Sequence, residues 1–181
     1  MKLIALSGSL RKDSFNTRLA HAMAARAPKG VEVEAATCHG IPLYDGDLEK
    51  AGGVPSAVVD LQQRIRAADG LILITPEYNA GMPGVLKNTL DWLSRPPKEM
   101  AATFSGKPTG IAGATPGGLG TTLAQSGSLV VLRQFKVHLF PDHLRVSKAH
   151  ETLLGDGTVE GPAAELLDNW LSGFIAFVGN A

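Results

Sequence analysis

Three short stretches of this sequence combine residues that could bind a small anionic ligand. The first, SGSLRKDSFN at 7–16, follows the apolar run Leu3–Leu6 directly. Its serines offer hydroxyl groups, Arg11 offers a planar fork of N–H donors, and a helix starting near residue 15 would present free backbone N–H groups. Together these hydrogen-bond donors are typical of a phosphate-binding loop. The alternative is a capped helix after a polar turn, with Arg11 merely solvated.

The second and third stretches carry groups that suit a planar polar ligand. In TPEYNAGMPGVLKNTLDWLSR at 75–95, Tyr78 and Asn79 are amphipathic, and the nearby glycines permit close approach of a ligand. The third, GATPGGLGT at 113–121, has four glycines in nine residues and could lie flat against a ring. The alternative for the second stretch is a plain strand-to-helix turn with a buried Trp92. The alternative for the third stretch is a mobile turn. Neither GxxxxGK[ST] nor GxGxxG occurs in the first stretch, so it carries no triphosphate or dinucleotide fingerprint.

Strands and helices alternate along the chain and would position these stretches. Apolar runs predict strands at 2–7, 31–35, 71–75, 109–115 and 136–140, and helical periodicity predicts helices at 15–27, 54–68, 83–94, 119–134 and 161–178. This alternation predicts an α/β fold, a three-layer doubly wound domain over residues 1–181 with a five-stranded parallel sheet. Ligands bind such sheets at the carboxyl ends of the strands, where all three stretches would converge.

Composition narrows the classes of function. Seventeen basic and seventeen acidic side chains give zero net charge, so we expect no binding of nucleic acid or of an acidic membrane. Apolar runs are too short for a membrane span or a secretion signal, and the single cysteine suggests a reducing compartment, so we expect a cytoplasmic protein. Five histidines without an HxxxH or HExxH pair predict no metal site, and Cys38 is expected to be a buried thiol rather than a nucleophile.

The motifs GSLRKDSFN and PEYNAGMPGVLKNTLDWLSR, with IPLYDGDLE at 41–49, resemble the NADPH-dependent FMN reductase family, in its branch of bacterial quinone and chromate reductases. The resemblance extends from about residue 3 to about residue 125. It implies a flavodoxin-like fold with strand order 2-1-3-4-5 and bound FMN. It also implies cofactor-binding residues in all three stretches: Ser9, Leu10, Arg11, Ser14, Phe15 and Asn16 near the phosphate; Pro76, Glu77, Tyr78 and Asn79 along the flavin; and Ala114, Thr115 and Gly117 beside its ring.

The same resemblance implies an FMN-dependent NAD(P)H oxidoreductase that reduces quinones and other small electron-poor acceptors, including chromate, ferric or azo compounds, by ping-pong hydride transfer. Because the flavin carries the chemistry, we expect no catalytic side chain. The alternative is a flavodoxin-like electron carrier without small-molecule turnover. The resemblance also implies a homodimer or homotetramer, for which the apolar face of the helix bearing Trp92 and the loops near the flavin are candidate surfaces. Relatives usually carry an arginine where Leu123 stands, and LRQ at 132–134 falls about one helical turn late, so the subunit contacts are expected to differ.

Overall fold

A five-stranded parallel sheet forms the centre of the protein. The computed structural model describes residues 1–155 and 157–181, and its sheet has the order β2-β1-β3-β4-β5. The strands are β1 (Lys2–Ser7), β2 (Glu32–Thr37), β3 (Gly70–Ile74), β4 (Pro108–Ala114) and β5 (His138–Val146). Every neighbouring pair in this sheet is parallel, and β1 lies between β2 and β3. The predicted doubly wound fold and its strand order are confirmed.

Helices cover both faces of the sheet. They are α1 (Phe15–Ala25), α2 (Gly46–Gly52), α3 (Ser56–Ala67), α4 (Gly84–Leu93), α5 (Pro97–Phe104), α6 (Thr122–Gln134), α7 (Ala149–Thr152) and α8 (Pro162–Gly179). On one face, Leu19 of α1 and Phe174 of α8 pack against residues of the sheet such as Ile72. On the other face, α3, α4 and α6 enclose a second core that includes Leu71 and Leu73. Since both faces are covered, β3 is buried along its whole length and shows no polar alternation.

The segment between β2 and α3 lies against α4 and covers its predicted oligomer surface. The side chain of Trp92 is fully buried, and its indole N–H donates to the carbonyl of Pro42 at 2.9 Å. Asn88 also donates to Pro42, at 2.8 Å, and Arg95 pairs with Glu49 at 2.8 Å. The prediction that the face bearing Trp92 is available for subunit contacts is therefore wrong, because this face already holds residues 42–49.

Other departures from the sequence prediction concern short elements and boundaries. Helices α2, α5 and α7 were not predicted, nor was the antiparallel pair β6 (Leu153–Gly155) and β7 (Thr158–Val159). Strand β5 continues to Val146 instead of ending at residue 140. Within the described part of the chain, no helix combines the length and the apolar character needed to cross a membrane.

Candidate functional site

The three polar stretches meet in one cleft at the carboxyl ends of β1, β3 and β4. We name them loop one (residues 7–16), loop two (75–82) and loop three (113–121). The cleft has about 340 Å³ of empty volume and is lined by Ser9, Arg11, Ser14, Phe15, Asn16, Pro76, Glu77, Tyr78, Ala114, Thr115 and Pro116. Leu10, Asn79 and Gly117 belong to the same three loops, next to these lining residues. The predicted convergence of the loops is therefore present.

Buried serines organise the backbone of loop one. Ser14 is the N-cap of α1, and its hydroxyl oxygen accepts hydrogen bonds from the N–H groups of Asn16 and Thr17 at 3.2 and 3.4 Å. The hydroxyl oxygen of Ser9 accepts from the N–H of Arg11 at 3.3 Å. Because both oxygens act as acceptors in these contacts, each hydroxyl proton can still be donated into the cleft.

Arg11 is the cation of this cleft. Its side chain is exposed, and over residues 1–155 and 157–181 we find no hydrogen bond or ion pair for its guanidinium group. The nearby carboxylate of Asp13 instead faces Arg18, at 3.7 Å. A guanidinium group with no internal carboxylate keeps its bidentate donor pairs for an external anion.

Asn16 joins loop one to loop three. It is only 5% exposed, and its amide makes two hydrogen bonds with the same residue: it donates to the carbonyl of Ala114 at 3.0 Å and accepts from the N–H of Ala114 at 2.9 Å. This pairing fixes the start of α1 against the end of β4, although the two residues are 98 positions apart. The side chain therefore positions the walls of the cleft, a role that sequence reasoning did not reveal.

Loop two turns tightly at the mouth of the cleft. Tyr78 and Gly81 exchange backbone hydrogen bonds of 3.0 and 3.1 Å, and the two residues between them, Asn79 and Ala80, have φ of 50° and 61°. Alanine rarely adopts this left-handed region, which costs about 1–2 kcal/mol for a residue with a Cβ atom. The turn leaves the side chain of Tyr78 47% exposed.

Glu77 connects loop two to helix α6. One carboxylate oxygen accepts hydrogen bonds from the N–H groups of Leu123 at 2.8 Å and Ala124 at 3.0 Å. These N–H groups belong to the first turn of α6, where an intrahelical partner is missing. The sequence placed Glu77 at the site but gave no sign of this contact, because the partners lie 46 and 47 residues away.

Loop three is held at its edges by backbone hydrogen bonds. The N–H of Thr115 donates to Val146 at 3.0 Å, and the N–H of Lys148 donates to Gly117 at 2.9 Å. Gly113 permits α6 to approach this loop, since a Cβ atom there would lie only 1.9 Å from the hydroxyl oxygen of Thr121. These contacts favour a preformed wall over the alternative of a mobile turn.

The remaining candidate groups do not add chemistry to the cleft. Cys38 is buried at the end of β2, its thiol lies 3.4 Å from the carbonyl oxygen of Ser7, and burial raises the pKa of this thiol to about 11. It is therefore a neutral thiol at physiological pH. Among residues 1–155 and 157–181, no group of three or more His, Cys, Asp or Glu side chains could hold a metal ion. A larger cleft of about 890 Å³ of empty volume lies between β5 and α8, and it shares no lining residue with the cleft of the three loops.

Comparison with known proteins gives the family. The family model of NADPH-dependent FMN reductase matches residues 1–151. The chain belongs to this family. This NADPH-dependent FMN reductase is therefore an oxidoreductase, with FMN as its flavin and NAD(P)H as its electron donor.

Individual proteins agree with this placement. The chain is 40% identical over 154 residues to 2-hydroxy-1,4-benzoquinone reductase of a Burkholderia species, which covers 81% of this chain and 82% of the relative. It is also 40% identical over 173 residues to an NAD(P)H-dependent FMN reductase of Pseudomonas aeruginosa, with 94% and 91% covered. Among solved structures, the flavoenzyme NAD(P)H:(acceptor) oxidoreductase FerB of Paracoccus denitrificans superposes with a TM-score of 0.85 at 29% identity, covering 99% of this chain and 97% of FerB.

The residues of the cleft fit FMN. Arg11 and the hydroxyl groups of Ser9 and Ser14 can donate to a phosphate group at one end of the cleft. At the other end, Pro76, Ala114 and Thr115 line the cleft beside the exposed ring of Tyr78. An anion-binding end next to these uncharged residues suits a phosphorylated ring system such as this cofactor.

Proposed function

We propose that this protein binds FMN in the cleft between the three loops and uses it to reduce quinones and related electron-poor acceptors with NAD(P)H. The observation that carries the proposal is the meeting of all three loops in one cleft, with an arginine at the rim that forms no ion pair with any residue of 1–155 or 157–181. The names of the relatives support it, since they include 2-hydroxy-1,4-benzoquinone reductase and quinone reductase.

In this proposal loop one holds the phosphate of FMN. The guanidinium group of Arg11 donates to two phosphate oxygens, and the hydroxyl groups of Ser9 and Ser14 donate to the others. Leu10, Phe15 and Asn16 complete this end of the cleft: the first two supply apolar contacts, and Asn16 keeps loop three at the right distance through Ala114.

Loops two and three hold the ring system. In this proposal Pro76 to Asn79 lie along one side of the ring and Ala114, Thr115 and Gly117 along the other; five of these seven residues line the cleft. When bound there, FMN supplies the hydride-accepting and hydride-donating chemistry. The protein's own task is to orient the ring and leave one face open to NAD(P)H and the acceptor in turn, so we propose no catalytic side chain.

We propose that the acceptor binds beside exposed apolar side chains of loops two and three and of the first turn of α6. Tyr78, Leu119 and Leu123 are 47%, 66% and 49% exposed. An apolar slot discriminates weakly, because one methylene-sized difference is worth only about 1–3 kcal/mol. We therefore propose a broad range of quinone acceptors, with chromate, ferric and azo compounds as further candidates.

The experiment that tests the function is a visible spectrum of the purified protein before and after NADPH under anaerobic conditions. We expect a yellow protein that releases FMN rather than FAD on denaturation, and that bleaches with NADPH and recovers its colour with benzoquinone. A protein that fails to take up FMN at micromolar concentration would refute the proposal. A protein that holds FMN but is not bleached by NADPH would favour the alternative of an electron carrier.

We also propose that the protein is at least a homodimer. Four exposed apolar side chains on the three loops and the first turn of α6, those of Leu10, Tyr78, Leu119 and Leu123, support this, because a partner subunit would remove them from water. Light scattering should give a mass of about two or four chains, and a monomer at working concentration would contradict the proposal.

Two further proposals concern the domain and the location of the protein. Residues 1–181 form a single domain, which is supported by the core that joins α8 to α1 and the sheet. The protein is cytoplasmic, which is supported by the unpaired Cys38.

A further inference from the structure

Helix α6 begins without a side-chain cap of its own. Its N-cap residue, Thr121, has φ of 62°, and its hydroxyl makes no capping bond. That hydroxyl oxygen instead accepts a hydrogen bond from the side chain of Gln125 at 3.0 Å. The first turn of α6 therefore depends on an acceptor from elsewhere in the chain.

Glu77 provides that acceptor from loop two. Its carboxylate oxygen lies 2.8 and 3.0 Å from the N–H groups of Leu123 and Ala124, the second and third residues of the helix. An N-cap side chain normally bonds to N–H groups at these helix positions. The negative charge of Glu77 also lies at the positive end of the helix dipole, which strengthens the contact.

This contact joins two walls of the cleft. Glu77 lies between Pro76 and Tyr78 in loop two, whereas α6 begins directly after Thr121, the last residue of loop three. A carboxylate that holds the start of α6 therefore fixes the distance between loop two and loop three. The carboxylate of Glu77 already accepts from these two N–H groups, so it acts by holding the walls of the cleft together. Arg11, in contrast, is proposed to contact the phosphate itself.

We propose that Glu77 is a positioning residue for the flavin: it caps α6 and thereby holds loops two and three at the spacing that FMN requires. This inference rests on the proposed function. It predicts that loss of the carboxylate weakens FMN binding without removing any group that contacts the phosphate.

The test compares Glu77→Ala and Glu77→Gln with a matched control, Asp69→Ala. The carboxylate of Asp69 also accepts from a backbone N–H, that of Lys2 at 2.7 Å, but at the amino end of the sheet, away from the cleft. FMN affinity is measured by quenching of flavin fluorescence, and protection of the Leu123 and Ala124 amides by hydrogen exchange of the apoprotein.

We expect Glu77→Ala to raise the Kd for FMN by at least about tenfold, equivalent to about 1.4 kcal/mol, and to accelerate exchange of both amides. Glu77→Gln keeps an acceptor oxygen and the side-chain length, so it should recover part of the affinity even if the alanine variant folds poorly. Asp69→Ala should lower thermal stability while leaving the Kd within about twofold.

The outcomes separate this inference from the proposed function. If the parent protein binds FMN and both Glu77 variants bind it as tightly as the parent does, the cap does not affect the flavin site. The inference is then wrong, while the proposed function stands. An equal loss of affinity in Asp69→Ala would also overturn it, because the effect would then be one of general stability. A parent protein that binds no FMN would refute the proposed function and this inference with it.

Discussion

Replacement of Asn16 by alanine tests the geometry of the cleft most directly. The change removes both hydrogen bonds to Ala114. The backbone N–H and C=O groups of Ala114 are then left without this partner in a buried position. An unsatisfied buried polar group costs about 1–3 kcal/mol. Alanine recovers up to about 0.7 kcal/mol through its higher helix propensity. Two such groups cost about 2–6 kcal/mol, so after this recovery we expect the apoprotein to lose about 1.3–6 kcal/mol of its free energy of unfolding.

The assay is urea denaturation of the apoprotein followed by far-UV circular dichroism. Asn88→Ala is the matched control, since that amide also makes two hydrogen bonds, to Pro42 and from Tyr44, but both are exposed to solvent. The control should lose less than about 1 kcal/mol, because water can replace exposed partners. A loss below about 1 kcal/mol for Asn16→Ala, or an equal loss for the two variants, would refute the reasoning.

A third variant, Asn16→Asp, adds a dependence on pH. At neutral pH its carboxylate would face the carbonyl oxygen of Ala114, whereas the protonated acid could donate to that oxygen. The aspartate should therefore have a raised pKa in the folded state, so its stabilising contribution is present at low pH and lost as pH rises through that pKa. The difference in stability from the parent should be smaller near pH 4 than at pH 7.

The remaining predictions concern the phosphate, the thiol and the acceptor. Arg11→Ala should weaken FMN binding by about ten- to a hundredfold, since a charge-assisted bond is worth about 1.5–3 kcal/mol. Arg11→Lys should recover part of this affinity, and the control Arg133→Ala, at an exposed arginine, should leave the Kd for FMN unchanged. An unchanged Kd in Arg11→Ala would contradict the phosphate assignment. Above pH 9 the unfolded thiol of Cys38 ionises while the folded one keeps its proton up to about pH 11, so the stability of the parent relative to Cys38→Ala should fall by about 1.4 kcal/mol per pH unit in this window; equal slopes in the two proteins would show that the thiol is not buried as described. Several quinones should be reduced within about two orders of magnitude of each other in kcat/KM, with parallel double-reciprocal plots; intersecting lines, or one acceptor preferred by about 10⁴, would indicate a dedicated second site.

The central strands and the covering helices could be predicted because apolar runs, helical periodicity and caps each lie within a short stretch of sequence. The run at Gly70–Ile74 is apolar throughout, and the start of α1 carries a serine cap. The end of β5 was missed because Pro141 interrupts an apolar run. Since β5 is an edge strand with an irregular register opposite β4, it tolerates a residue that cannot donate a backbone hydrogen bond.

The candidate site shows the same division between local and distant information. Residue types in loop one were enough to predict a cleft for an anion, since Arg11 and the serines are neighbours in sequence. The contacts of Asn16 and Glu77 could not be predicted, because each partner lies on an element about 50 or 100 residues away. Both side chains bond to backbone N–H or C=O groups, which carry no residue-specific signal in the partner sequence.

The segment over α4 makes Trp92 a reporter of partial opening. This segment contacts α4 largely through the side chains of Asn88, Trp92 and Arg95, so it could detach while the strands of the sheet remain paired. Detachment would expose to water the edge of the indole that Pro42 and Tyr44 cover, and would shift the emission to longer wavelength. The second tryptophan, Trp170, lies in the core on the opposite face of the sheet. With Trp170→Phe as background, the fluorescence of Trp92 alone would therefore separate the opening of one peripheral segment from global unfolding.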